Sequence, residues 1–257
     1  MRIGVVTFPG SNSDVDSLNA IAVAGVEPVS LWHESPDLQG VSAVILPGGF
    51  AYGDYVRAGV IARFSPVMKG VAEFAAAGGH VLGICNGFQV LAESRLVPGV
   101  LMRNRSLRFA SKIVAIAPQR LDSPFTRAAL GTPIHIPIAH GEGCYYADEA
   151  TLDQLERDGQ VLFRYCREDG SYSTDVDDPS NPNGSLRAIA GVCNAAGNVA
   201  GLMPHPERMA EAILGTGEGM QLIQSLVQSA LEWEANGRPK ANGGRIAAAT
   251  TTAEVAK

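Results

Sequence analysis

The stretch Val81-Leu82-Gly83-Ile84-Cys85-Asn86-Gly87-Phe88-Gln89 reads as an apolar strand that turns directly into a helix, with a cysteine at the turn. Small residues two positions before and after Cys85 fit the Gly-X-nucleophile-X-Gly spacing of a strained strand-to-helix elbow. Such a turn lifts the side chain above the carboxyl edge of a sheet, where open α/β folds bind ligands. A helix N-terminus beside sulfur favours thiolate. It also leaves the Asn86 N–H free of an intrahelical partner and available to an oxyanion. The competing reading is a small buried hydrophobe that ends a strand.

Outward from the elbow the pattern repeats. Met1–Phe8 and Val41–Leu46 are apolar runs, each stopped by Pro-Gly. Ser13 and Asp14 are N-cap candidates for a helix through Ala24, and Pro66–Ala77 reads as a helix ended by Gly78-Gly79. His80–Ile84 and Asn86–Ser94 follow as strand and helix. Near-continuous apolar strands alternating with helices predict a mostly parallel sheet covered on both faces. From Ser111 the spacing shortens. Lys112–Ala117, Ile134–Ile138, Val161–Tyr165, Ile189–Cys193 and Val199–Leu202 read as strands, the last two joined by a hairpin at Asn194–Asn198. These add antiparallel strands. Glu211 and Gly219–Glu234 read as helical. Residues 1–237 are expected to form one domain. Residues 238–257, rich in Ala, Gly and Thr, are expected to be a disordered tail.

The chain has 257 residues, 46% apolar, and a net charge of −6, which argues against nucleic acid as the main partner. No apolar run approaches a membrane span, and the N-terminus lacks the build of a signal peptide. Cys85, Cys144, Cys166 and Cys193 show no CxxC spacing, which points away from zinc and structural disulfides and suits a cytoplasmic protein. Arg103, Arg105 and Arg108 form a small basic run, read as a solvated loop or a docking site for an acidic partner.

Two further segments carry chemistry. Pro47-Gly48-Gly49-Phe50 ends a strand with backbone able to approach a substrate, so Gly49 offers a second oxyanion N–H. The same glycines are flexible enough to turn that N–H away until a partner binds. Met203-Pro204-His205-Pro206-Glu207 holds a base and its orienter in a stiff extended stretch, where both side chains fall on one side. A thiol nucleophile needs such a base. His33, His80 and His135 fall on strands and read as structural. His140, in Ala139-His140-Gly141-Glu142-Gly143, has its own acid nearby, and spacing alone leaves it open as the base.

Six segments in order resemble the class I, triad-type glutamine amidotransferases, most closely the glutaminase subunits that serve phosphoribosylformylglycinamidine synthase in purine biosynthesis. They are Phe8-Pro9-Gly10-Ser11-Asn12, the run from Pro47 through Tyr52-Gly53-Asp54-Tyr55, the elbow through Gln89, Ala139–Gly143, Asn181-Pro182-Asn183-Gly184-Ser185, and Gly201–Arg208. The resemblance implies a flavodoxin-like α/β fold with added antiparallel strands. It makes Cys85 the nucleophile, His205 the base and Glu207 its orienter. Gly49 and Asn86 become oxyanion donors, and Gln89, Asn104 and Ser106 substrate contacts. It implies no metal or cofactor in this chain, with ATP and Mg in a partner synthetase subunit and a small accessory subunit as a third component. Ala51, where the family often has Ser, and Ala110-Ser111, where a Cys is common, depart from the pattern away from the triad.

Three alternatives stand beside this reading. One is a class I amidotransferase feeding another synthetase, against which the Tyr-Gly-Asp-Tyr and Asn-Pro-Asn-Gly-Ser loops argue. Another is a non-hydrolytic redox or stress module keeping an oxidisable Cys85, which has no use for a stiff His-X-Glu element. The last is a receiver-like domain using Asp14 and Asp16, which are better explained as acids at a helix N-terminus.

Overall fold

The computed structural model describes residues 1–131 and 133–237, so the expected tail at 238–257 lies outside the described residues. The first half runs β1 (Arg2–Thr7), α1 (Asp14–Val23), β2 (Glu27–Trp32), β3 (Ala43–Leu46), α2 (Pro66–Ala76), β4 (His80–Ile84) and α3 (Asn86–Glu93). The second runs β5 (Val100–Met102), β6 (Ala110–Pro118), β7 (Ile134–His140), β8 (Cys144–Tyr146), α4 (Glu149–Arg157), β9 (Val161–Cys166), β10 (Ile189–Cys193), β11 (Val199–Leu202) and α5 (Met220–Ala235).

Both halves share one nine-stranded sheet, ordered β2-β1-β3-β4-β11-β10-β9-β6-β7, with β5 and β8 paired separately. The strands from β2 to β11 are parallel, and the remaining pairings are antiparallel. The burial patterns follow this division. All of β3 is buried, as expected of a strand covered on two faces. β7 instead alternates, with Ile134, Ile136 and Ile138 turned into the core. Its Pro137 is tolerated because β7 is an edge strand. The step from β1 to β2 and the step from β3 to β4 go opposite ways along the sheet. Right-handed crossovers therefore put α1 and α2 on opposite faces. One continuous apolar core runs from Ile3 to Ala230.

Some elements depart from the sequence reading. β2 is absent from it because its burial is partial and it contains Pro28 and Ser30 on a sheet edge. β5, β8 and α4 are also absent from it. The first two are three residues long, and α4 is mostly polar with only Leu152 and Leu155 buried. Ser13 does sit at the N-cap of α1, but its side chain caps nothing. Its hydroxyl accepts from Arg208 at 2.7 Å instead. Asp14 and Asp16 lie in the first turn of α1, and Asp16 pairs with Arg208 at 3.3 Å. No helix among the described residues is long and apolar enough to cross a membrane.

The topology sets the site. β4 and β11 are adjacent and parallel, with Gly83 beside Gly201 and Ile84 beside Leu202. Their carboxyl ends therefore deliver Cys85 and the His205 segment to the same edge.

Candidate active site

Cys85 has φ 51° and ψ −107°, a conformation that side chains other than Gly rarely adopt. The surroundings hold it there. Its N–H donates to the Leu202 carbonyl at 2.8 Å, and its carbonyl accepts from the Gln89 N–H at 3.1 Å, so the residue belongs to sheet and helix at once. The close approach of α3 explains both flanking glycines. A Cβ on Gly87 would run into the carbonyl of Leu46, and one on Gly83 would meet the Gly87 carbonyl. The sulfur is almost fully buried and faces the Ala139 carbonyl at 3.7 Å.

His205 follows β11 and is fixed by its N–H, which donates to Pro137 of β7 at 2.8 Å. Nδ1 donates to Glu207 Oε1 at 2.6 Å. Both side chains are buried, and neither His205 Nε2 nor Glu207 Oε2 has a hydrogen-bond partner among the described residues. Burial works against a charged imidazole here. The charges of Glu207 and of the Cys85 sulfur outweigh it and raise His205 to about 10. The ring is thus held as a proton donor at the elbow.

His140 has a different environment. Its Nδ1 donates to Asn104 Oδ1 at 3.1 Å, and burial followed by the nearby His205 pushes it down to about 4. It is neutral at physiological pH, with Nε2 bare. Its hydrogen-bond partner is a neutral amide, which lacks the charge a carboxylate brings to an imidazolium, and Glu142 is not bonded to it.

A cavity of about 200 Å³ opens beside the sulfur, lined by Gly49, Phe50, Asp54, Cys85, Gln89, Phe109, Ala139, His140, Gly141 and Glu142. A second of about 120 Å³ holds His205 and shares Gly49, Phe50, Phe109 and Ala139 with it. Gly49, at φ +149°, lies against Ser11 and Asn12, and a Cβ there would strike their backbone. The sequence suggests a freely swivelling Gly48-Gly49. In the structure the Gly48 carbonyl accepts from Asn12 at 3.4 Å and Ser13 at 3.2 Å, and the Phe50 N–H donates to Gly10 at 2.9 Å. The segment is pinned on both sides.

Asn86 begins α3, so its N–H lacks an intrahelical acceptor. Its side chain accepts from the Ala51 N–H at 2.9 Å and donates to Asp54 at 3.0 Å and Gln89 at 2.9 Å. This ties the turn after β3 to the elbow. Gln89 also donates to the Glu142 carbonyl at 2.6 Å. The structure thus brings Cys85, Gly49, Asn86, Gln89, His205 and Glu207 together. Two expected substrate contacts are not brought to the cavity. Asn104 is fully buried and holds the His140 and Gly143 backbone. Ser106 is exposed, and its hydroxyl accepts from the Arg108 N–H. Asp54 and Glu142 line the cavity and are absent from the sequence-based site. Asp54 lies in the Tyr-Gly-Asp-Tyr motif directly after the Gly-Gly turn, which was the available signal. A larger groove of about 750 Å³, bordered among others by Glu93, Arg95 and Tyr146, is lined by no cysteine or histidine. No cluster of three or more His, Cys, Asp or Glu side chains suited to a metal ion occurs among the described residues.

A strained cysteine elbow, a buried His–Glu pair and a parallel sheet define an amidotransferase-type site. A model of the CobB/CobQ-like glutamine amidotransferase domain matches residues 1–233, and the chain belongs to that family. More particularly, it is 52% identical over 231 residues to the phosphoribosylformylglycinamidine synthase subunit PurQ of Rubrobacter xylanophilus, covering 90% of this chain and 99% of that one. The PurQ subunit of Gloeobacter violaceus is 53% identical over 233 residues, with the same coverage. Among solved structures, a chain of PurLQS from Thermotoga maritima is 39% identical with a TM-score of 0.76, covering 88% of this chain and 97% of that one. A putative GMP synthase subunit from Thermoplasma acidophilum, 13% identical with a TM-score of 0.60 over 92% and 97% of the two chains, shares the fold alone.

Proposed function

We propose that this chain hydrolyses glutamine through Cys85, His205 and Glu207. It passes the ammonia to a synthetase subunit that converts formylglycinamide ribonucleotide to formylglycinamidine ribonucleotide in purine biosynthesis. The observation that carries the reading is the strained Cys85 at the same sheet edge as the 2.6 Å His205–Glu207 pair, in a chain half identical to PurQ subunits.

Cys85 sulfur attacks the side-chain amide carbon of glutamine, and the carbonyl oxygen takes the negative charge toward the N–H groups of Gly49 and Asn86. His205 gives its proton to the amide nitrogen, which leaves as ammonia, and a thioester to Cys85 remains. Water, deprotonated by His205, then releases glutamate and restores the thiolate. Glu207 fixes the imidazole tautomer throughout. Ammonia released to bulk water at neutral pH is protonated and loses its nucleophilicity, which favours direct transfer to a partner. ATP and Mg belong to that partner in this reading, a small accessory subunit completes the assembly, and the assembly is cytoplasmic.

The test is reconstitution. The chain is mixed with the synthetase and accessory subunits, formylglycinamide ribonucleotide, ATP, Mg and glutamine. Glutamate and formylglycinamidine ribonucleotide should form in equal amounts. No glutamate above the level without this chain would overturn the reading.

A further inference from the structure

The Asn-Pro-Asn-Gly-Ser loop at 181–185 lines neither cavity at the site. It grips the segment that forms and continues one wall of the cavity beside Cys85. His140, Gly141 and Glu142 line that cavity, and Gly143 follows them. We propose that Asn183 and Ser185 are positioning residues for glutamine binding, acting through the Gly143 peptide to fix the wall at 140–142 relative to Cys85.

The wall has no ladder of its own. β7 ends at His140 and β8 begins at Cys144, so residues 141–143 lie between strands. Buried backbone groups outside a ladder need partners from side chains or other loops. Here four consecutive carbonyls find them. The His140 carbonyl accepts from Asn104 Nδ2 at 2.8 Å, and the Gly141 carbonyl from the Asn104 N–H at 2.9 Å. The Glu142 carbonyl accepts from Gln89 at 2.6 Å, and the Gly143 carbonyl from Asn183 Nδ2 at 2.8 Å. Gly143 has no room for a side chain, because a Cβ there would strike the His140 ring. A shift of the Gly143 peptide is therefore felt at His140.

Asn183 is held in turn. It is buried and uses both ends of its amide. Nδ2 also donates to the Tyr165 hydroxyl at 3.2 Å. Oδ1 accepts from the Ser185 N–H at 3.1 Å and from the Ser185 hydroxyl at 2.8 Å. Those two donors settle which end of the amide faces Gly143. The Ser185 hydroxyl accepts from the Tyr145 N–H at 3.0 Å, which ties the same unit to β8. The Asn183 carbonyl accepts from the Arg105 N–H at 3.0 Å, next to Asn104. Gly184, at φ +79°, lies so close to Arg105 that a Cβ would meet its side chain. The Asn-Gly-Ser order thus answers to this packing. Replacing Asn183 leaves the Gly143 carbonyl without its 2.8 Å donor, which costs more than an exposed hydrogen bond and moves the wall.

This role rests on the glutaminase reading, and its test separates the two. The complex with the synthetase subunit is assayed as wild type, Asn183→Asp and Ser185→Ala. Asn183→Asp keeps the shape of the side chain and removes the donor to Gly143. It should raise KM for glutamine about tenfold, with kcat within about threefold. Ser185→Ala frees the Asn183 amide to turn and should raise KM about threefold. Two further readouts should stay within about twofold of wild type: the ammonium-dependent synthetase rate, and alkylation of Cys85 by iodoacetamide, which needs the thiolate and not the wall. If Asn183→Asp fails to fold, Ser185→Ala decides. An unchanged KM in the folded variants overturns the role while glutamine hydrolysis stands. So does a fall in kcat and in Cys85 alkylation without a rise in KM, which would mark the loop as structural support alone. A wild-type complex that does not hydrolyse glutamine overturns the glutaminase reading, and the role with it.

Discussion

His205 Nδ1 and Glu207 Oε1 meet at 2.6 Å in a buried pair, although only Pro206 separates the two residues in sequence. The stretch is not the extended segment its prolines suggest. His205 (φ −106°, ψ 86°) caps a 3-10 helix, Pro206–Met209. The pair forms because that turn, with Pro206 at its first position, folds Glu207 back toward the imidazole. The His205 N–H is meanwhile held by the edge strand β7. Glu207 therefore meets the imidazole away from solvent, as the orienting role in the proposed triad requires.

Replacing Glu207 with Gln keeps an oxygen at the imidazole and removes the charge. The largest support for protonated His205 then disappears, and its pKa falls from about 10. We expect kcat to drop about 10²-fold or more, the scale of general acid–base catalysis, with the alkaline limb of the pH–rate profile moving to lower pH. Steady-state glutaminase profiles of the complex check this. A profile with unmoved limbs would remove Glu207 from the role.

His205→Ala and His140→Ala separate the two candidate bases. His205→Ala should cost about 10³-fold in kcat, and His140→Ala about tenfold, mainly in KM. His140 is neutral and bonded to Asn104, which is unsuited to supporting a charged base. Equal or reversed losses in kcat would return the base assignment to His140.

Gly87→Ala tests the elbow itself. The added Cβ meets the Leu46 carbonyl, a backbone atom of buried β3 that cannot swing aside. Overpacking of this kind costs about 1–3 kcal/mol, which should lower the melting temperature by several degrees and disturb Cys85. A thermal melt matching wild type would show that α3 and β3 are less tightly apposed than the structure has them.

Asp54→Asn should raise stability at pH 8. The folded pKa of Asp54 lies at about 6, above its ordinary value of 3.8, so its ionised form is disfavoured by folding. The folded state then binds more protons than the unfolded chain between those values, and wild-type stability gains as pH falls through 6 toward 4. The variant lacks that penalty, so its advantage should be greatest at pH 8 and shrink toward pH 4. Melting curves across that range check the sign. A variant less stable at pH 8 would mean that the Asn86 contact outweighs the cost of burying the ionised carboxylate.

The sequence made the site more legible than the sheet. The elbow was readable because Gly83, Cys85 and Gly87 answer to a local backbone constraint. The central strands were readable because burial on two faces leaves unbroken apolar runs. β2 at the edge and the short β5 and β8 carry no such pattern, because their pairing depends on tertiary neighbours. Asn104 illustrates the same limit within the site. A polar residue near a glycine-rich loop reads as a substrate contact, yet it is consumed in holding that loop. Asp54 and Glu142 are far apart in the chain, and only the fold shows that they line one cavity.

The central claim, that Cys85 takes ammonia from glutamine for a synthetase, is tested most directly by Cys85→Ala in the reconstituted complex. Formation of formylglycinamidine ribonucleotide is measured once with glutamine and once with an ammonium salt. The account expects the glutamine-dependent rate to fall by about 10³-fold or more, as when a nucleophile is removed. The ammonium-dependent rate should stay within about twofold of wild type, because the synthetase site is untouched. A variant that keeps its glutamine-dependent rate would contradict the account.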